Sequence, residues 1–171
     1  NMLSNYLFGV NETVREYVRL TQELDARDTP VVLVLFGDHK PWMGNGGSVY
    51  EEMGIDFDTS TLAGFRNYYA TPYLIWANRA AKEVLGADFT GDGGDFSPCF
   101  LMTRLFDACG WAGPGYMQLS RAMRDISPLL HTNGLFLHDG VLTSVLSDTD
   151  RSFYRSWLAV QYYREHVAAY S

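Results

Sequence analysis

The pattern of apolar and polar positions predicts two strands in the first half of the chain. Val31–Phe36 is an unbroken apolar run between a Thr-Pro pair and Gly37, which is typical of a buried strand in a parallel sheet. Tyr73–Ala77 is a second apolar run, and Pro72 stands at its start, where a proline is tolerated. Between the two runs, residues 40–64 are rich in glycine and carboxylates, which predicts a long irregular segment.

Helical spacing and end signals predict helices around these strands. The first helix is expected to begin at Asn11, a favourable N-cap residue, and a short helix is expected over Asn78–Leu85. A further helix is expected over Ser97–Gly110, from a serine-proline start to a glycine end. His138-Asp139-Gly140 lies between two short apolar runs and predicts a hairpin turn. With further helices at about 116–126 and 149–169, the elements predict an α/β fold, a mixed sheet with flanking helices.

Composition and charge exclude several classes of protein. The chain has 171 residues, of which 47% are hydrophobic, enough for a substantial core. Its formal net charge is −7 and its lysines are Lys40 and Lys82, so the chain is a poor candidate for binding nucleic acid, or anionic lipid through a basic patch. Neither an apolar run of about 20 residues nor a signal-peptide pattern occurs, so any membrane anchor is expected elsewhere in the parent protein.

The residues most suited to chemistry follow the first predicted strand. Asp38 and His39 come directly after Gly37, at the carboxyl end of a strand, where open α/β sheets place their ligands. A carboxylate and an imidazole are both ligands of divalent metals. Gly37 lets the chain leave the strand, so that both side chains can turn toward one ion. Because aspartate and histidine are also common in plain turns, the pair alone leaves a metal site and a turn open.

Two segments together resemble a known family. Val31–Pro41 and Tyr69–Asn78 resemble the C-terminal half of lipoteichoic-acid-synthase-like phosphoglycerol transferases, which belong to the sulfatase and alkaline-phosphatase superfamily. The shared features are a strand followed by Gly-Asp-His with a nearby proline, a variable loop, and a Thr-Pro strand ending in Trp-x-Asn. The start at Asn5-Tyr6-Leu7 and the segment 97–116 resemble the flanking helices of that family. The combination is fairly specific, whereas either motif alone is not.

The resemblance implies an enzyme of cell-envelope synthesis. Such enzymes transfer a phosphoglycerol group from a membrane lipid to a glycan or glycolipid at the extracytoplasmic face of a bacterial membrane. It implies a divalent metal, usually manganese, with zinc, magnesium and calcium as alternatives, held in part by Asp38 and His39. In the family an acidic residue and a threonine nucleophile, both well upstream, complete the site. The implied partners are a lipid-linked phosphoglycerol donor, a glycan acceptor and the N-terminal half of the catalytic domain.

The chain departs from the family in what precedes the Gly-Asp-His motif. Only about 37 residues come before it, too few for the half that carries the nucleophile, and the sulfatase Cys/Ser-x-Pro-x-Arg signature does not occur. We therefore expect residues 1–171 to form a single partial domain that holds no catalytic nucleophile and is inactive alone. The alternatives are a sulfatase or phosphodiesterase of the same superfamily, or a non-catalytic binding module with the same fold.

Four further residues are candidates for contact with a substrate headgroup. Lys40 adjoins the predicted metal pair, and Arg66, Trp76 and Asn78 lie where the Thr-Pro strand is expected to approach the same edge. Each also has an ordinary structural explanation. Lys40 is compatible with a solvated lysine, Trp76 with a core residue and Asn78 with a turn former.

Overall fold

The computed structural model of the protein describes residues 1–167 and confirms the α/β class. The chain divides into two compact units, Asn1–Thr90 and Gly91–Ser171. The expectation of a single partial domain over 1–171 stays a prediction. The helices are α1 (Met2–Asp25), α2 (Ser48–Glu52), α3 (Leu62–Tyr69), α4 (Arg79–Leu85), α5 (Leu101–Ala108), α6 (Gly115–Ile126) and α7 (Asp148–His166); the strands are β1 (Val32–Phe36), β2 (Tyr73–Ala77), β3 (Phe136–His138) and β4 (Val141–Thr143).

β1 and β2 form an antiparallel pair, with Val32 opposite Ala77 and Phe36 opposite Tyr73. The prediction of a parallel-sheet strand is therefore wrong. So is the prediction of a mixed sheet, because both sheets in the described part of the chain are two-stranded and antiparallel. An apolar run reports how much a strand is buried and carries no information about the direction of its partner. Here β1 is only half-buried, and Phe36 at its end is 63% exposed.

The first helix begins earlier than its sequence predicts. Asn1 is the N-cap of α1, and its side chain accepts a hydrogen bond from the backbone N–H of Ser4 at 2.9 Å. Asn11, the predicted start, lies inside the helix on its exposed surface. Asparagine is a good cap but costs little at an exposed helical position, so its presence did not mark a boundary.

The other predicted elements are confirmed with small shifts. α4 begins after Asn78, and a 3-10 turn at Pro98–Phe100 leads into α5. In the β3–β4 hairpin, Asp139 and Gly140 have φ values of 50° and 77°, the left-handed conformation that two-residue hairpin turns require. α7 runs to His166, and the predicted end near Ala169 lies outside the described residues.

The second unit has its own core, in which α6 packs against α7. Phe100, Met123 and Trp157 are buried together, and the indole Nε1 of Trp157 donates to Ser120 Oγ at 3.0 Å. Beside this core, Asp107 accepts hydrogen bonds from Arg121 and Arg124, each at 2.6 Å. Burial acts to raise the pKa of Asp107, but the two guanidinium hydrogen bonds outweigh it and hold that pKa below its ordinary value.

This pKa shift predicts acid-sensitive stability of the second unit. A carboxylate whose pKa is lower in the folded state stabilises the fold above its unfolded pKa of about 3.9, and this contribution is lost as the pH falls through the folded pKa. We expect Asp107→Asn to lower the free energy of unfolding at pH 7 by about 1–2 kcal/mol. The same variant is expected to flatten the loss of stability below about pH 4. Urea unfolding at pH 3–7 measures both effects.

Asp125→Asn is the matched control, because the side chain of Asp125 is 70% exposed and lies 4.0 Å from Arg124. It is expected to behave as wild type. Equal acid profiles for wild type and Asp107→Asn would contradict the prediction.

Candidate functional site

The antiparallel pairing of β1 with β2 brings the Gly-Asp-His and Thr-Pro motifs to the same end of this strand pair. The N–H of Gly37 donates to the carbonyl of Pro72 at 3.0 Å, which extends the β1–β2 ladder by one step. The hydroxyl of Thr71 donates to the carbonyl of Gly37 at 2.7 Å. The two motifs are separated by about thirty residues in sequence, and these two hydrogen bonds join their backbones directly.

Gly37 allows close packing against Thr71 at this position. A Cβ atom on Gly37 would lie 3.0 Å from Cβ of Thr71, closer than carbon atoms of packed side chains normally approach. Its backbone does not have a positive φ, so the glycine serves to let Thr71 approach and not to permit an unusual turn.

Asp38 and His39 form a local pair beyond this glycine. Oδ1 of Asp38 accepts a hydrogen bond from the backbone N–H of His39 at 2.8 Å, and its Oδ2 lies 3.5 Å from Nε2 of His39. Nδ1 of the same imidazole lies 3.0 Å from the carbonyl oxygen of Lys40. A carbonyl only accepts, so this contact places the proton on Nδ1 and, in the neutral ring, leaves a lone pair on Nε2 beside the carboxylate.

This donor set fits part of a divalent-metal site. An imidazole nitrogen and a carboxylate oxygen point toward the same space, and a backbone acceptor on the far ring nitrogen is the usual companion of a metal-binding histidine. Both side chains are open to solvent, His39 at 79% and Asp38 at 81% exposure. Within residues 1–167 no group of three or more histidine, cysteine, aspartate or glutamate side chains is arranged to hold a metal. A metal held here would therefore have two ligands from this pair and would need further donors from elsewhere.

Lys40 and Arg66 line a groove next to this pair. The groove has a volume of about 410 Å³. The ammonium of Lys40 donates to the carbonyl of Ala70, directly before Thr71, and its partial burial lowers the pKa of Lys40 below the ordinary value. The remaining lining comes from α3 and from the segment between β1 and α3: Tyr50, Ile55, Phe57, Ala63, Asn67 and Ala70.

Aromatic rings shape the apolar part of the groove. The hydroxyl of Tyr50 donates to the carbonyl of Pro41 at 2.7 Å, and burial, with a smaller effect of Tyr6, raises the pKa of Tyr50. The rings of Tyr50 and Phe57 lie with their centroids 4.9 Å apart. The sequence did not single out Tyr50 or Phe57, because they lie in the glycine-rich segment and no spacing rule connects them to Lys40.

Trp76 and Asn78 lie at the other end of the β1–β2 strand pair. Trp76 pairs with Leu33, and the N–H of Asn78 donates to the carbonyl of Val31 at 3.0 Å. In a parallel sheet the end of β2 would adjoin the end of β1, but the antiparallel register separates these two residues from Lys40 and Arg66. The prediction that Trp76 and Asn78 lie near the edge that carries Asp38 and His39 therefore finds no support in this geometry.

Asn78 has a structural role at that end. Its fully buried side chain accepts hydrogen bonds from the N–H groups of Val31 and Ala81, both at 2.9 Å. Its amide nitrogen donates to the carbonyls of Leu24 at 3.0 Å and Thr29 at 2.9 Å. One asparagine thus joins the end of α1, the entry to β1 and the first turn of α4.

Comparison with known proteins finds a relative at low sequence identity. A protein of Rhizobium meliloti (strain 1021) named "Putative cyclic beta-1,2-glucan modification protein" is 27% identical to this chain over 121 residues, which is 67% of the chain and 17% of that protein. The chain is similar to part of a protein named for glucan modification. It spans about a sixth of the length of that relative.

Two further comparisons found nothing. No protein-family model matches the chain. No solved structure matches it either.

In residues 1–167, none of the helices has the length and apolar character needed to cross a membrane.

Asn78 should be indispensable for the stability of the first unit. Asn78→Ala leaves two backbone N–H groups and three carbonyls, those of Leu24, Arg27 and Thr29, without their partner, and we expect the free energy of unfolding to fall by about 2–4 kcal/mol. Urea unfolding measures the loss, and amide hydrogen exchange is expected to rise first in α4. Asn11→Ala on the exposed surface of α1 is the control, and a loss as small as that of the control would contradict this role.

Thr71 is expected to hold the Gly37 turn through its hydroxyl. Thr71→Val keeps the shape but removes one hydrogen bond, so we expect a loss of about 1 kcal/mol and changed imidazole NMR signals of His39. Thr71→Ser keeps the hydroxyl and should restore both. If the valine variant leaves the His39 signals as they are in wild type, Thr71 does not position the pair.

Proposed function

We propose that the chain is part of a cell-envelope enzyme that transfers a phosphoglycerol group from a membrane lipid to a glycan or glycolipid. The observation that carries this proposal is the junction of the two resembling motifs, in which Thr71 and Pro72 hydrogen-bond the backbone of Gly37. Residues that serve one reaction must meet in space, and the Thr-Pro part of the second motif meets the Gly-Asp-His motif here. The name of the relative, which refers to modification of a glucan, supports the choice of a glycan as acceptor.

The proposed cofactor is a divalent cation, with manganese first and zinc, magnesium or calcium as alternatives. Its ligands in this chain would be Oδ2 of Asp38 and Nε2 of His39, which lie 3.5 Å apart. The remaining ligands and the nucleophile would come from a part of the parent protein outside this chain. When bound, such a cation neutralises negative charge on phosphoryl oxygens and lowers the pKa of a coordinated hydroxyl.

The residues of this chain would act by positioning. The carbonyl of Lys40 fixes the protonated nitrogen of His39, and the backbone N–H of His39 orients the Asp38 carboxylate. Both groups are thereby held before any ligand arrives, which reduces the reorganisation needed on binding. Their exposure leaves the edge open to a substrate presented from outside the unit. We place the parent enzyme at the extracytoplasmic face of a bacterial membrane, where its lipid donor would lie.

The test uses the parent enzyme that contains this chain. Asp38→Asn and His39→Gln are each expected to lower phosphoglycerol transfer from phosphatidylglycerol to a glucan acceptor by at least about a hundredfold, because a lost ligand weakens charge stabilisation by several kcal/mol. Bound manganese, measured by elemental analysis, should fall in parallel.

The second histidine–aspartate pair of the chain provides a matched control. Nδ1 of His138 lies 3.2 Å from the carbonyl of Ile126, and its Nε2 lies 3.7 Å from Oδ2 of Asp139, so the local arrangement is similar. His138→Gln and Asp139→Asn are expected to keep transfer and metal content. Unchanged activity and metal content in the Asp38 and His39 variants would refute the transfer function and favour a non-catalytic binding module. Metal-dependent release of sulfate in place of phosphoglycerol would favour a sulfatase.

A further inference from the structure

The first helix, α1, has an apolar face that the described residues leave largely uncovered. It has 24 residues, none of them buried. Leu7 is 55% exposed and Val14 is 51% exposed. A helix of this length ordinarily buries its apolar face against another element, because packing supplies most of its stability. The apolar face of α1 is therefore a candidate surface for a partner.

The apolar positions of α1 follow the spacing of a coiled-coil helix. They are separated alternately by three and four residues and together form the α1 seam: Leu7, Val10, Val14, Tyr17, Thr21 and Leu24. Leu3, four residues before Leu7, continues the pattern. An average spacing of about 3.5 residues keeps one stripe facing a second helix along its whole length. The pattern therefore favours another helix as the occupant of the seam.

The charged side chains in the middle of α1 lie opposite the seam and pair with one another. Glu12 forms an ion pair with Arg15 at 2.8 Å. Arg19 forms one with Glu16 at 2.9 Å and another with Glu23. The positions that flank the seam over the same length carry no charge: Tyr6, Asn11, Thr13, Val18 and Leu20. Coiled coils that choose a different partner by charge place charged residues at those flanking positions. Two copies of α1 can meet along the seam without bringing like charges together.

The area of the seam suits a weak dimer. Half-exposed valine, leucine and tyrosine side chains each keep roughly 50–100 Å² of apolar surface. Six side chains on and beside the seam are 39–55% exposed: Tyr6, Leu7, Val10, Val14, Tyr17 and Val18. In two copies together they would bury roughly 600–1,200 Å², which is near the lower limit of about 1,000 Å² for a specific interface. We therefore expect a dissociation constant of roughly 10 μM to 1 mM.

We infer that α1 forms a two-helix coiled coil with α1 of a second copy of this chain, with the two seams packed against each other. In a twofold interface the same patch supplies both sides, so one apolar stripe is sufficient. Val14 lies in the middle of the seam, so it lies close to the partner's Val14 whether the helices pair parallel or antiparallel. This association is independent of the proposed transfer function.

The experiment is sedimentation equilibrium of the 171-residue chain from about 1 μM to about 1 mM. The average mass is expected to rise from that of one 19.3 kDa chain toward that of two. Val14→Glu and Val14→Lys each place a charge in the middle of the seam on both copies and are expected to weaken association at least about tenfold. An equal mixture of the two variants is expected to recover association, because opposite charges then face each other.

Asn5→Glu is the matched control for the added charge. Asn5 is exposed on the face of α1 opposite the seam, so this variant is expected to associate as wild type. Circular dichroism of each variant checks that the helices are retained. If Val14→Glu unfolds, Val14→Ser replaces it, since that variant removes apolar surface without adding a charge and is also expected to weaken association.

Salt dependence and methyl NMR identify the interface. Raising the NaCl concentration from about 0.05 M to about 0.5 M is expected to strengthen association, because salt screens the repulsion between two chains of net charge −7. The methyl signals of Val10 and Val14 are expected to shift with protein concentration, and those of Val34 in β1 are expected to stay unchanged.

Four results would overturn the pairing of two copies. They are the mass of one chain at every concentration, association that weakens as salt is raised, equal association of wild type and Val14→Glu, and association that leaves the Val10 and Val14 methyl signals unchanged. A fifth concerns the parent protein. If Val14→Cys in that protein resists a maleimide while the protein sediments as a monomer, the seam is covered by another part of the parent and not by a second copy.

Discussion

The antiparallel pairing of β1 with β2 is the constraint on which the first unit depends. An isolated pair of strands has marginal stability in water, so other interactions must hold its two ends. At one end the buried amide of Asn78 connects the hairpin to α1 and α4. At the other end the hydroxyl of Thr71 is bonded to the carbonyl of Gly37, and Gly37 provides the space for Thr71 to approach. One end of the strand pair therefore carries a buried structural asparagine, and the opposite end carries the exposed side chains of Asp38 and His39.

The geometry of the open end follows from these attachments. Asp38 and His39 leave the strand immediately after the fixed glycine, so their backbone is anchored while their side chains are exposed. Exposure is uncommon for a finished metal site, which is normally enclosed by further ligands and by a hydrogen-bonded outer shell. It is compatible with an edge that is completed by another surface.

Much of the local structure was predictable, because it depends on neighbouring residues. Apolar runs located β1 and β2 within one residue, and the Asp139-Gly140 pair located the second hairpin through its preference for positive φ. The direction of strand pairing was not predictable, since an apolar run is the same whether its partner runs parallel or antiparallel. The direction of pairing determines which residues share an edge. The antiparallel arrangement puts Lys40 beside the Thr-Pro end of β2 and puts Trp76 and Asn78 at the opposite end. The groove depends on rings brought together by tertiary packing, for which the sequence has no local signal.

Lys40 contributes both to the surroundings of His39 and to the lining of the groove. Its backbone carbonyl lies 3.0 Å from Nδ1 of His39, while its side chain lines the groove and contacts the carbonyl of Ala70. One residue therefore contributes to both features through different atoms. Replacing the Lys40 side chain changes the lining of the groove, whereas the backbone carbonyl that faces the imidazole is kept by every substitution at this position.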